Sequence, residues 1–112
     1  MPWMVPRRGD VVWISMTPHA GHEQGGRRPA VVLTPVSYNG RAGLAITCPI
    51  TSRVKGYPYE VAIPTGLPVE GVILADQARS VDWQARTAEF ACELPDATMR
   101  EVLLKLTTLL QE

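Results

Sequence analysis

No stretch of this chain comes near the roughly 18 uninterrupted apolar residues that a membrane-spanning helix requires. The longest charge-free stretches, such as 29–40 and 42–52, contain Pro, Asn or Thr. At the amino terminus, Arg7 and Arg8 follow the apolar residues instead of preceding them, and there is no apolar h-region. A secretory signal is therefore not expected, and the expectation is a soluble, cytoplasmic protein with no membrane partner. Cysteine is scarce as well. Cys48 and Cys92 are the only two, and without a CxxC spacing or a histidine cluster they predict neither a disulfide framework nor a metal site, only reduced, partly buried thiols. Phenylalanine occurs once beside three tryptophans, so at least one tryptophan has to fill the core, and Trp13, inside an apolar run, is the candidate. Gly21, Gly25 and Gly26 are not followed by Gly-Lys-Ser/Thr, so there is no Walker loop and no support for nucleotide hydrolysis. Internal repeats, low-complexity tracts and linkers are absent too.

What remains is an ordinary globular composition: 112 residues, 46% hydrophobic and 20% charged. One domain spanning 1–112 is expected, with its site on the surface or between copies of the chain. The net charge of zero conceals an asymmetry. Residues 1–55 carry seven basic side chains against two acids, and residues 56–112 carry four against nine. Such a split serves two readings equally: a basic half that meets a polyanion, or solvated charges that balance once the folded chain interleaves its halves.

The patterning is mainly β. Val11-Val12-Trp13-Ile14, Pro29 to Leu33, Gly43 to Ile50, Tyr57 to Ile63, Gly71 to Asp76, Arg79 to Trp83 and Arg86 to Phe90 read as short strands at the spacing of a small antiparallel sandwich or barrel. After Pro95 the period changes. With Asp96 as N-cap, Met99, Val102, Leu103, Leu106, Leu109 and Leu110 fall on one stripe of a terminal amphipathic helix, which packs on the sheet as a lid. Its polar face lacks the Lys/Arg enrichment of a membrane-surface helix.

Asn39-Gly40 is a strong hairpin signal, because a type I′ turn needs positive φ at both central residues. If these two residues form the turn, every opposed pair in the hairpin has residue numbers that add to 79, and Arg28 faces Thr51. Directly opposed side chains share a face with Cβ atoms about 5 Å apart. A guanidinium and a hydroxyl then converge at the open end, as in a phosphate clamp. A bulge at Pro35 or Pro49 would separate them; a longer loop with the same centre would not. Arg27, Ser52, Arg53 and Lys55 gather nearby, with Glu23 and Gln24 from the glycine-rich loop. Each has a plainer alternative: a solvent-facing pair for Arg27-Arg28, a turn for Thr51-Ser52. His19 and His22 are usual candidates for proton transfer, but they stand in a polar loop without a partnered carboxylate. Gln77 closes a strand either as a base-edge reader or as a turn carboxamide.

Four blocks carry a resemblance. In order, Gly9-Asp10-Val11-Val12-Trp13, then His22-Glu23-Gln24-Gly25-Gly26-Arg27-Arg28-Pro29-Ala30-Val31-Val32-Leu33, then Pro49-Ile50-Thr51-Ser52 with Lys55-Gly56-Tyr57-Pro58, and finally Gly71-Val72-Ile73-Leu74-Ala75-Asp76-Gln77, the chain resembles the MazF/PemK toxin endoribonucleases. The resemblance implies an SH3-like β-barrel, a homodimer, metal-independent cleavage of single-stranded RNA without a cofactor, and a cognate antitoxin whose segment occupies the RNA groove. It implies Arg28 and Thr51 as catalytic residues and Glu23 as a residue that positions RNA or relays a proton. Gln24, Arg27, Ser52, Arg53, Lys55 and Gln77 are the expected RNA contacts. Leu74 stands where some branches carry an arginine, so no mechanism centred on Asp76 is implied. The alternative on the same fold is a CcdB-like toxin that binds gyrase without nuclease activity. Such toxins depend on a terminal Trp-Gly-Ile, whereas this chain ends Thr108-Leu109-Leu110-Gln111-Glu112.

Overall fold

The computed structural model describes residues 4–15 and 26–111. Within them run β1 (Asp10–Ser15), β2 (Arg27–Val32), α1 (Val36–Ala42), β3 (Ala45–Thr51), β4 (Glu60–Ala62), β5 (Val72–Leu74), β6 (Arg79–Val81), β7 (Glu89–Glu93) and α2 (Asp96–Leu109). Every ladder is antiparallel, and the strands follow the path β4-β5-β3-β2-β1-β7, with β6 paired to β3. The mainly β expectation with a carboxy-terminal helix is thus met, with β4 and β7 at the two ends of the path.

The central strands are apolar on both faces because both faces are covered. Val11, Val31, Cys48 and Ile50 turn to one side, where Met99 and Val102 of α2 close the core. Val12, Ile14, Ala30 and Val32 turn to the other and meet Ala45, Val81 and Trp83. Met99, Val102, Leu103 and Leu106 pack as the helical stripe requires, whereas Leu109 and Leu110 are exposed. Asp96 is the first helical residue and not the cap; Pro95 holds the cap position in extended conformation. The core tryptophan is Trp83 instead of Trp13, since Trp83 is buried and its indole N–H donates to the Asn39 carbonyl at 3.1 Å. Trp13 only packs, half-buried, against the α2-side core.

Asn39-Gly40 does not form a hairpin turn. Those residues lie inside α1, which starts after Pro35 and ends at Gly43, whose φ of 71° is the left-handed stop favoured by glycine. The Asn39 side chain explains the difference. It is fully buried, its Oδ1 accepts from the Thr34 hydroxyl at 2.6 Å, and its Nδ2 donates to the carbonyls of Pro6 and Thr34 at 2.9 Å each. An exposed I′ turn would forfeit those bonds. The register nevertheless stands, because the helix is centred where the turn was placed: Ala30 pairs with Pro49, Val31 with Cys48 and Val32 with Thr47, and each pair adds to 79.

Both cysteines are free thiols, Cys48 buried and Cys92 half-buried. Burial, assisted by the negative charge of Asp76, pushes the Cys48 thiol up to about 12. Among the described residues no helix is long and apolar enough to cross a membrane.

Candidate functional site

β3 builds the site because it serves two neighbours in succession. Its first part pairs with β2 on one edge and β6 on the other, and its last two residues, Ile50 and Thr51, leave β6 behind and pair with β5. The ladder with β2 closes at Ala30 and Pro49. Two residues further along each strand, on the same face, stand Arg28 and Thr51. Alternation therefore projects them together at an open end of the sheet.

Two adjoining cavities mark that end. One, of about 390 Å³, is lined by Arg28, Thr51, Gln77, Arg79 and Arg86 over a floor that includes Ile14, Ala30 and Pro49. The other, of about 370 Å³, is lined by Arg28, Thr51, Ser52 and Arg53 together with Trp13 and Glu70. Arg28, Pro29, Ile50 and Thr51 belong to both, so the cavities form one groove divided by this group. Three guanidinium groups and no carboxylate line the first cavity. An anion is the ligand such a wall favours.

Thr51 is held firmly. Its Oγ1 accepts the Arg53 backbone N–H at 3.1 Å, which folds Ser52 and Arg53 around the hydroxyl. Behind it lies Gly71, at φ +114°, so close that a Cβ there would run into the Thr51 carbonyl and approach Ser52 Cα to 2.9 Å. Glycine is what lets β5 support the end of β3.

The remaining expected residues divide. Gln77 is exposed, with its backbone N–H on the Leu74 carbonyl at 3.1 Å, and lines the first cavity. Lys55 lines neither cavity; its Nζ lies 5.8 Å from the Tyr57 ring centroid, and its backbone N–H donates to Glu60. Arg27 also lines neither. It alternates away from Arg28, and its Nη2 donates to the Trp13 and Thr87 carbonyls and to Glu89. Glu23, Gln24, His19 and His22 lie outside the described residues.

Sequence reasoning missed Arg79, Arg86 and Glu70. Arg79 comes to the groove because β6 pairs with β3, bringing Arg79 opposite Thr47. Arg86 arrives from the turn after β6, where its Nη1 donates to the Ser15 carbonyl at 3.0 Å. Both come from the half of the chain that is acidic overall, so a count along the sequence hides them. Among the described residues no group of three or more His, Cys, Asp or Glu side chains is placed to hold a metal ion.

The profile of the family described as "PemK-like, MazF-like toxin of type II toxin-antitoxin system" matches residues 7–110. The chain belongs to that family. Within this MazF-like family it is similar to the endoribonuclease toxin MazF of Escherichia coli K12, 48% identical over 84 residues covering 75% of each chain. It is also similar to Escherichia coli endoribonuclease PemK, 35% identical over 108 residues, covering 92% of this chain and 80% of that one. Among solved structures, a MazE-MazF complex from Deinococcus radiodurans superposes with a TM-score of 0.90 at 56% identity, covering 96% of both chains. The chain is a MazF-like endoribonuclease toxin, and the gyrase-binding alternative falls.

Proposed function

We propose that this MazF-like toxin cleaves single-stranded RNA, mRNA included, in the groove that Arg28 and Thr51 share, by attack of the RNA's own 2′-hydroxyl on the adjacent phosphorus. The 2′-oxygen loses its proton and bonds to phosphorus, the bond from phosphorus to the 5′-oxygen breaks, and that oxygen takes up a proton. The products are a 2′,3′-cyclic phosphate and a 5′-hydroxyl. An arginine is protonated at any working pH and is a poor base. Arg28 therefore serves by holding the charge that builds on the phosphorane and by donating a hydrogen bond toward the leaving oxygen. Thr51 and Ser52 fix the phosphate, Gln77 faces a base, Arg53 follows the backbone on the second cavity's side, and Glu23 with Gln24 helps to position the RNA. The supporting observation is that Arg28 and Thr51 line both cavities of a groove whose first cavity carries three guanidinium groups and no carboxylate.

The same reading has a cognate antitoxin, of the kind present in the solved MazE-MazF complexes, laying a segment along this groove. It also has two copies of the chain pairing in the cytoplasm, with the sheet curled into a small SH3-like barrel. The test is incubation of the purified protein with a long single-stranded RNA in chelator, with the new ends mapped. Cuts ending in cyclic phosphate are expected, and deoxyribose at the cut position should abolish them because the attacking group is gone. Cleavage of the deoxy-substituted strand would overturn this chemistry.

A further inference from the structure

Thr87 is the only residue other than glycine with positive φ among the described residues, at 55°. A β-branched side chain in the left-handed region persists only where its surroundings impose it. It directly follows Arg86, which lines the groove. The turn that carries both residues is fixed from within by the Asp82 carboxylate, which accepts the Ala85 N–H at 2.9 Å, and by buried Trp83. From outside it is fixed by strand ends. The Ser15 N–H donates to the Arg86 carbonyl and Arg86 Nη1 donates back to the Ser15 carbonyl, both at 3.0 Å. Arg27 Nη2 donates to the Thr87 carbonyl at 2.9 Å, to the Trp13 carbonyl at 3.2 Å and to Glu89 Oε1 at 3.1 Å.

We propose that Arg27 is a positioning residue that holds the strained Thr87 turn, and through it fixes Arg86 in the groove opened by its neighbour Arg28. The inference rests on the endoribonuclease reading of that groove. Three guanidinium groups around one cavity repel one another, and a loosened turn lets Arg86 lower that repulsion by giving up its bond to the Ser15 carbonyl and swinging toward water. The Arg27 clamp opposes this, so the groove presents its charge before RNA arrives and little reorganisation is left for the reaction step. Consecutive residues of β2 thus divide the work: Arg28 faces the substrate, and Arg27 grips the turn from the opposite side of the strand.

The experiment compares the full chain with Arg27→Ala, Thr87→Gly and the double variant, using a short RNA that spans a mapped cut site. Arg27→Ala is expected to lower kcat by about tenfold to a hundredfold, the scale of a misplaced group, with KM little changed. Thr87→Gly removes the strain, so it should leave cleavage near the parent value alone and recover most of the loss in the double variant. Amide exchange at Ser15, whose N–H bonds the Arg86 carbonyl, should quicken in Arg27→Ala and slow again in the double variant. Three results overturn the proposal: parent kinetics in Arg27→Ala; a loss that Thr87→Gly leaves unrecovered; or a raised KM with kcat intact and a salt slope shallower by about 0.7, which marks a lost phosphate contact. A parent protein that cuts no RNA overturns the endoribonuclease reading and with it the positioning role, whereas Ser15 exchange reads the clamp independently of RNA.

Discussion

Arg28 and Thr51 line the same two cavities but are held very differently. Thr51 Oγ1 already accepts the Arg53 N–H at 3.1 Å, while among the described residues the Arg28 guanidinium has neither hydrogen bond nor ion pair. The hydroxyl is already engaged, whereas the guanidinium keeps its donors for the phosphate that the proposed function brings to the groove.

Replacing that donor should therefore cost activity and little else. Arg28→Ala is expected to lower the cleavage rate by about a hundredfold to a thousandfold, the usual effect of losing one preorganised donor, with thermal stability close to the parent. Arg28→Lys keeps the charge without the two-pronged fork and should recover only part of the rate. Single-turnover cleavage beside a thermal melt checks both. A folded Arg28→Ala protein that cuts at the parent rate removes Arg28 from the chemistry.

Gly71 connects stability to the site. Gly71→Ala places a methyl group against the Thr51 carbonyl at a φ of +114°, so β5 and the end of β3 must separate. A loss of about 2 kcal/mol or more in urea unfolding is expected, together with a fall in cleavage as Thr51 shifts. Gly43→Ala is the control. Its φ is +71° and nothing lies within 4 Å, so it should cost only about 1 kcal/mol and leave cleavage unchanged.

Asn39→Ala removes a buried amide and leaves the Pro6 and Thr34 carbonyls without their donor. Stranded buried acceptors are expensive, and a loss of about 2–5 kcal/mol is expected, read as a lower urea midpoint with an unchanged slope. Asn39→Leu should be no better, because the same carbonyls stay unpaired.

Asp10 gives the pH dependence. Burial raises its carboxyl above the ordinary value of 3.8, with repulsion from Glu93 adding to the rise, while the Arg7 backbone hydrogen bond and charge oppose it. The native state then binds the proton more tightly than the unfolded chain. The contribution is fully present below pH 3.8 and is lost as pH rises through the higher native value. Asp10→Asn should flatten this part of a stability profile measured across acidic pH; an unaltered profile would assign the slope to other groups.

Much of this protein was legible along the chain because the signals were short in range. Strand runs, the helical stripe after Pro95 and the register of β2 against β3 all follow from local periodicity and from a reversal centred on Asn39-Gly40. The register survived a wrong turn type because pairing depends on where a connection is centred, and a seven-residue helix shares its centre with the expected turn. Other features depended on partners far away in sequence. Asn39 became helical through bonds to Pro6 and Thr34 and through Trp83, and Trp83 displaced Trp13 from the core because α1 gave its indole an acceptor. Arg79 and Arg86 entered the groove by the pairing of β6 with β3 and by a turn tied to Ser15. Alternation along β2 could set Arg27 and Arg28 on opposite faces, but only the packed neighbours decided which face was the groove. Local pattern thus fixed the strands and the register of β2 against β3, whereas long-range packing chose the rest of the charged wall, since a side chain's surroundings belong to the fold and not to its sequence neighbours.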